Sequence, residues 1–344
     1  MIGVIVTLAL VASQASAFAA SQASDPEAMS ARAMHLAQQK RFDEAEKVWL
    51  DALKLSPGLF SAAFNLGYFH SSQGRHDKAV AYLTKAAEIQ PDDFNARYLL
   101  GVSLSKTGHA TEALKQWQAA LAIRPNHVKL MQIMTVEFGK ERYFQEAVAV
   151  ADRALALSGS DLSVYLMAVK AHQDAADHSG ALAVAERLAR KFPAMARANF
   201  EYAYELNRAG QPGESLAYLR KAMQQDANYE EPFLLYGEIL TREGKWDEAA
   251  AALRRALELR GNYMPAWAGL GRALMQSGRY EEARKELLRA IEIDAQHPQP
   301  HLLLSQVYYR LGDEARAAAE RKLSMQLRRK QPEAMEAPHG RPFP

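Results

Sequence analysis

A 34-residue repeat limits what this chain can fold into more than any other feature of its sequence. Alanine marks one register of that repeat, and Ser215 fills the one gap in it. The register comprises Ala45, Ala79, Ala113, Ala147, Ala181, Ala249, Ala283 and Ala317. The step continues without an insertion through nine units that start near residues 26, 60, 94, 128, 162, 196, 230, 264 and 298 and end at residue 331. Repetition at this period is typical of chains in which one short supersecondary unit stacks on the next.

Each unit has the pattern of two helices joined by a turn. In the unit of residues 94–127, apolar side chains such as Leu100 recur at helical spacing, and Gly108 marks the end of the first helix. A second apolar stripe containing Trp117 follows, and Pro125 ends it because proline cannot continue a helix. Strong helix formers also outnumber β-branched residues. The sequence therefore predicts an all-α protein of stacked helix–turn–helix units.

Glycine recurs inside the first helix of several units, where the lack of a side chain lets the paired helix approach closely. The fourth to sixth units depart from the pattern: Thr135 and Val169 replace glycine, and Ser215 and Leu188 replace alanine. We expect these departures to loosen local packing or to change curvature without preventing the fold.

The combined pattern resembles the tetratricopeptide repeat family. The second unit shows it best, with Gly67, Ala79, Leu83, Ala86 and Pro91 at the characteristic spacing. The resemblance covers most of the chain and implies a right-handed α-solenoid whose first helices line a concave groove. In this family the groove usually receives an extended peptide or a helix of another protein, so the resemblance implies a non-catalytic scaffold or adaptor.

The resemblance also assigns groove positions, namely residues 2, 5, 9, 12 and 13 of each unit. Basic and aromatic side chains at these positions form the predicted partner-binding groove. They are Phe64, Tyr68, Tyr98, Lys106, Lys129, Lys140, Lys170, Arg197, Phe200, Tyr204, Arg208, Arg242, Arg272 and Arg310. From the second to the ninth unit, Asp174, Glu231 and Glu238 are the acidic residues at the same positions, so cations predominate. We therefore expect the partner to be a protein or peptide segment that carries acidic and apolar side chains.

Several other functions lack their sequence signals. The formal net charge is only +2, which gives no whole-chain field for a nucleic-acid partner. The absence of cysteine removes disulfides, thiolate metal sites and cysteine nucleophiles. His297 and His301 have metal-ligand spacing, but Pro298 and Pro300 intervene. No phosphate-binding loop or nucleophile elbow occurs, so we expect neither an enzyme nor a cofactor.

The two ends of the chain differ from the repeats. Residues 1–24 lack charged side chains, and the apolar run at 2–12 precedes small-residue A-x-A sites. This pattern predicts a signal peptide and export to the periplasm or the outside; an uncleaved membrane anchor is the alternative, and membrane contact is expected only through that segment. The tail at 332–344 contains four prolines and is predicted to be disordered.

Two further expectations concern the array as a whole. The last unit is predicted to act as a polar-faced cap, because Arg316, Glu320, Arg321 and Gln326 interrupt its apolar stripe. A second functional hypothesis is a structural subunit of a cell-envelope or polysaccharide-export assembly. No feature of the sequence indicates an oligomeric state.

Overall fold

The computed structural model describes residues 25–330, which form eighteen α-helices and no strand. The predicted signal segment at 1–24 and the predicted tail at 332–344 lie outside the described residues. The prediction of an all-α repeat solenoid is confirmed. No helix within 25–330 has the length and apolar character that crossing a membrane requires.

We number the helices α1 to α18 in chain order, so that odd numbers are the first helices of the repeats. The first helices each have 13 residues and are Pro26–Gln38, Phe60–Ser72, Phe94–Lys106, Val128–Lys140, Leu162–Asp174, Ala196–Arg208, Glu230–Arg242, Met264–Gln276 and Pro298–Arg310. The second helices are Phe42–Leu55, His76–Ile89, Ala110–Ile123, Phe144–Leu157, His178–Lys191, Pro212–Gln225, Trp246–Leu259, Tyr280–Ile293 and Glu314–Lys330.

The turn inside each repeat requires one residue in the left-handed region. Gly108 has φ 82°, and the next residue, His109, donates its backbone N–H to the Leu104 carbonyl at 2.8 Å. Glycine suits this position because it has no Cβ to collide with the backbone. In three other repeats Lys40, Arg142 and Ala176 adopt the same conformation, with φ 61°, 63° and 56°. The turn geometry is therefore kept even where glycine is absent.

The packing within a repeat explains the periodic glycines of the first helices. A Cβ built on Gly101 would lie 2.3 Å from Nε1 of Trp117, and one on Gly67 would lie 2.5 Å from Cγ of Leu83. The large side chain of the second helix thus occupies the space above the glycine. Trp117 is 2% exposed, and its Nε1 donates to the Tyr98 carbonyl at 3.1 Å, so its polar atom is satisfied.

The fifth repeat fills the same space with the sizes reversed. Val169 replaces the glycine of the first helix, and Ala185 replaces the large residue of the second; they are 1% and 0% exposed. In the sixth repeat, the Ser215 that replaces alanine donates its hydroxyl to the Ala203 carbonyl at 2.7 Å. Packing is therefore not loosened at these substitutions, because volume and hydrogen bonding are compensated by a residue on the paired helix.

The described residues divide into two compact units, 25–150 and 151–330. In the first unit α1 packs on α3 and α3 on α5; in the second unit α11, α13, α15 and α17 pack in series. Within each unit the first helices therefore form a continuous wall along one side of the stack. We call the solvent-facing side of these helices the first-helix wall.

Candidate functional site

The richest chemistry of the second unit lies on the first-helix wall at α11. Its functional side chains recur at intervals of three and four residues, which places them on one face of the helix. They are Arg197, Phe200, Glu201, Tyr204, Glu205 and Arg208. We call this set the α11 patch.

Arg197 is held in place by one carboxylate and two aromatic rings. Its Nη2 lies 2.5 Å from Oε1 of Glu201, and its guanidinium carbon lies 5.8 Å from the Phe200 ring and 5.9 Å from that of Tyr229. The Arg197 side chain is 49% exposed, whereas that of Glu201 is 9% exposed. Burial raises the pKa of the Glu201 carboxyl, and Arg197 opposes that rise. The acid therefore lies beneath the cation, and the cation faces solvent.

The other end of α11 repeats this arrangement. The Glu205 side chain is 1% exposed, and its Oε1 accepts from Gln173 Nε2 at 2.7 Å and lies 3.6 Å from Arg208. Nη2 of Arg208 lies 2.8 Å from Nδ1 of His178, and the Arg208 guanidinium lies 5.8 Å from the Tyr204 ring. Tyr204 is 38% exposed. An exposed aromatic ring beside a fixed guanidinium is again the result.

Helices α13 and α15 extend the charged surface. Burial raises the pKa of the half-buried Glu238 carboxyl, and Arg272 and Arg242 oppose that rise. Arg242 donates to Oδ1 of Asn207 on α11 at 2.5 Å, which ties two first helices together. Tyr229 is the residue that precedes α13, and burial also raises the pKa of its hydroxyl. Cations therefore continue across the wall with acids close to them.

The sequence analysis missed the buried acidic residues that lie beside the cations of the predicted groove. It compared residues at five positions of each repeat and so left out Glu137, Glu201 and Glu205, which are buried. Each lies three or four residues from a cation of the predicted groove, a spacing at which side chains on a helix meet. That spacing could have revealed them. The surplus of positive charge on the wall is smaller than the sequence count suggested.

The predicted aromatic residues of the first unit serve mainly in packing. Phe64 stacks on Phe60 with ring centroids 5.6 Å apart, and Tyr98 stacks on Phe94 at 5.9 Å. Phe64 and Tyr98 are half-buried. Tyr68 differs from them, since it is 52% exposed. Tyr68 is therefore the aromatic group that this part of the predicted groove offers to solvent.

The predicted lysines are exposed, and their surroundings differ. Lys140 lies 3.2 Å from Glu137, and Lys170 pairs with Asp174. Lys106 and Lys129 lie within ion-pair distance of no carboxylate among residues 25–330. Lys106, Lys129 and Lys140 lie in the first unit, whereas Lys170 lies in the second unit with the α11 patch.

A recurring hydrogen bond joins neighbouring first helices. It connects the twelfth residue of one repeat to the tenth residue of the next. The pairs are Ser71 with Ser103 at 3.3 Å, Ser105 with Glu137 at 2.9 Å, and Gln173 with Glu205 at 2.7 Å. These bonds fix the wall and leave its cations and exposed rings free to contact a ligand.

Arg310 lies apart from the α11 patch. It lines a cavity of about 1220 Å³ between α17 and α18, beside the end of α15. On the same helix His301 is buried, with Nδ1 2.6 Å from Glu320 and Nε2 3.1 Å from the Ala295 carbonyl. Glu320, predicted as part of a polar cap, is thus a partner of a core histidine.

His297, the other histidine with metal-ligand spacing, accepts from the Gln299 N–H at the start of α17. Within 25–330 no group of three or more His, Asp or Glu side chains is placed to hold a metal ion.

Family models and solved structures give the comparison with known proteins. Two models described as tetratricopeptide repeat match this chain, one at residues 71–133, 206–255 and 240–307 and the other at 12–60, 30–94 and 166–230. No curated protein sequence matches the chain. Among solved structures, MamA of Desulfovibrio magneticus RS-1 (residue 41 to the end) is 18% identical, with a TM-score of 0.45 over 50% of this chain and 97% of that one.

Two further solved structures cover more of the chain. YrrB, described as a TPR protein with an unusual peptide-binding site, is 21% identical over 63% of this chain and 95% of its own, with a TM-score of 0.40. Yeast Tom70 is 15% identical over 89% of this chain and 76% of its own, with a TM-score of 0.47. At these identities the likeness concerns the fold alone.

Proposed function

We propose that this chain, which belongs to the tetratricopeptide repeat family, holds a segment of another protein against the α11 patch. Proteins of this family serve as protein-interaction scaffolds. The observation that carries the proposal is the pairing of solvent-facing Arg197 and Arg208 with buried Glu201 and Glu205, beside the exposed ring of Tyr204. Arginine and tyrosine dominate the energetics of protein interfaces.

The buried carboxylates favour binding through preorganisation. A free arginine side chain loses rotamer freedom when it binds, which costs about 0.5–1.5 kcal/mol for each immobilised side chain. Arg197 is already fixed by Glu201 and by two rings, so that cost is largely met before the partner arrives. A guanidinium has five N–H donors, and Glu201 uses only part of them. The remaining donors can bind a carboxylate of the partner.

We propose a partner segment with acidic and apolar side chains. Its carboxylates would meet Arg197 and Arg208, and its apolar groups would cover Tyr204 and Phe200. Because the acids beneath the cations reduce the net field, binding should weaken only moderately as salt rises. No catalytic step is proposed.

The test compares partner capture by two charge-reversed variants of the full chain. Arg197→Glu/Arg208→Glu alters the α11 patch, and Arg220→Glu/Arg255→Glu alters the exposed Arg220 on second helix α12 and the partly exposed Arg255 on second helix α14. After crosslinking in cells that make the protein, we expect one dominant partner to be lost from the first variant and retained by the second. Retention of that partner by both variants would show that the α11 patch does not bind it.

The opposite pattern would favour the second hypothesis. A structural subunit of an envelope assembly would make broad contacts through its second helices, so the Arg220→Glu/Arg255→Glu variant would lose its partners instead.

We also propose that residues 1–24 direct export. N-terminal sequencing of the protein from separated cell fractions tests this: an exported chain beginning after an A-x-A site supports it, and an intact chain among intracellular proteins contradicts it.

A further inference from the structure

The cavity at the end of the second unit differs from the α11 patch in both shape and charge. It lies between the first and second helices of the last repeat and encloses about 1220 Å³. Small-molecule pockets usually enclose about 300–1,000 Å³. The residues that matter for its chemistry are Ser305, Tyr309, Arg321, Lys322, Met325 and Arg329.

The first line of evidence is an apolar position that the following repeat normally covers. Leu257 on α14 is 9% exposed, because α15 of the next repeat packs on α14. Leu121 on α6 is likewise 7% exposed. The equivalent residue of the last repeat is Met325, which is 51% exposed, and Tyr309 beside the same cavity is 66% exposed. Among the described residues, the apolar position that is covered in the earlier repeats is therefore exposed to solvent in the last repeat.

Second, the last repeat lacks the large apolar side chain that packs against the first helix in most other repeats. In the eighth repeat Leu287 is fully buried against Gly271, where an added Cβ would lie 2.5 Å from the leucine. The corresponding residues of the last repeat are Arg321 and Ser305. Arg321 is exposed and lines the cavity. A cation therefore replaces the leucine that fills the equivalent space one repeat earlier.

The third line of evidence is uncompensated positive charge. Arg310, Arg321, Lys322 and Arg329 line the cavity, and Glu314 is the acidic residue among its lining groups. Among the described residues, none of the four cations lies within ion-pair distance of a carboxylate. This contrasts with the α11 patch, whose cations are paired with buried acids. Charge here is free to act on a ligand.

We propose that this end face docks an amphipathic helix of a partner protein, with an apolar stripe flanked by acidic residues. A helix is the shape that fits, because helix α17 covers the equivalent end of the eighth repeat. The apolar stripe would cover Met325 and Tyr309, and the acids would meet Arg321 and Lys322. This docking site is separate from the α11 patch and does not depend on the function proposed for it.

The test uses a fluorophore attached to the full chain. Because the protein has no cysteine, Gln326→Cys places a single environment-sensitive dye at the cavity, and Arg328→Cys places one on the same helix outside it. The probes are two synthetic peptides of about 18 residues, long enough to form helix in isolation. Both have leucine at helical spacing; one has glutamates beside the stripe, and its twin has lysines.

With the dye at position 326, we expect the acidic peptide to change the emission saturably and the lysine twin to produce a change at least tenfold smaller. With the dye at position 328, we expect neither peptide to change the emission. Arg321→Glu/Lys322→Glu should reverse this preference in favour of the lysine peptide, since like charges at an interface are repelled. Arg197→Glu/Arg208→Glu should leave the response at position 326 unchanged, which separates this site from the α11 patch.

Other occupants give different results, and each overturns the proposal. A second copy of the chain would make the emission depend on protein concentration without peptide. The chain's own residues 331–344 would give a shifted emission that disappears when those residues are removed. Equal response to both peptides, or no reversal in the Arg321→Glu/Lys322→Glu variant, would show that the cavity does not select an acidic helix.

Discussion

Helices α5 and α11 occupy the same place in the third and sixth repeats, yet only one side of them is alike. Facing the paired helix, α5 has Gly101 against Trp117, and α11 has Ala203 in a cluster with Leu219. On the first-helix wall, α5 has the half-buried Tyr98, whereas α11 has the charged and aromatic α11 patch. The repeated side therefore determines the stack, and the unrepeated side gives one repeat a surface of its own.

The largest effect is expected where small and large residues meet inside a repeat. Trp117→Ala should lower the free energy of unfolding by about 3–5 kcal/mol because it leaves a cavity. Gly101→Val should lower it by about 1–3 kcal/mol through the collision with Trp117. Denaturant unfolding followed by circular dichroism measures both changes. These values test whether the paired side is packed as tightly as the distances indicate.

The double variant sharpens the comparison. Gly101→Val/Trp117→Ala copies the arrangement of Val169 and Ala185, so it should be more stable than the sum of the single losses by about 0.5–3 kcal/mol. Leu114→Ala combined with Gly101→Val serves as the matched control, since it supplies no space above the glycine. Strict additivity in the first pair would mean that the exchange seen in the fifth repeat is not compensation.

A smaller effect is expected from the buried histidine of α3. His70 is 1% exposed and stacks on Tyr82 at 5.5 Å, and burial lowers its pKa below the ordinary 6.5. As the pH falls below about 6.5, the unfolded chain takes up a proton that the folded chain resists, so stability falls. His70→Phe keeps a ring there and should reduce the stability loss between pH 7.5 and pH 5.5, measured from urea midpoints. The exposed variant His109→Phe should retain the full loss.

On the wall, charge changes should affect binding more than stability. Glu201→Gln removes a carboxylate whose pKa burial has raised, so the unfavourable burial of a charge and the pairing with Arg197 disappear together. Because the Arg197 side chain is 49% exposed, water can solvate it once its partner is neutral, so we expect stability to change by no more than about 1 kcal/mol. The amide oxygen of glutamine can still accept from Arg197 and hold it in place, while the opposing charge is gone. An acidic partner should therefore bind more tightly by about 1 kcal/mol, or roughly fivefold, and with steeper salt dependence. Isothermal titration checks this, and weaker binding would contradict it.

The smallest effect is expected from Arg242→Ala. The exposed Arg242 forms one hydrogen bond to Asn207, and exposed substitutions of this kind usually change stability by about 0.5 kcal/mol or less. Thermal unfolding of the variant beside wild type measures it. A loss above 1.5 kcal/mol would show that the wall, and not only the paired side, holds the stack together.

The two sides of the first helices also differ in how far sequence could predict them. The 34-residue step predicted the helical repeat fold and the family, because close packing imposes the same small and large residues on every unit. It did not reveal that Val169 is matched by Ala185, which requires comparing residues on paired helices. On the wall, sequence located Arg197 but not its pairing with Glu201, because pairing depends on which rotamers burial selects.

The most direct test of the central claim is photo-crosslinking from the two sides of the stack. Tyr204 on the α11 patch and Trp246 on second helix α14 are both aromatic and both 38% exposed, so each can be replaced by benzoylphenylalanine as a matched pair. The account predicts that position 204 captures a partner, that position 246 does not, and that Arg197→Glu abolishes the capture. Capture from position 246 alone, or capture from 204 that persists in the Arg197→Glu variant, would contradict it.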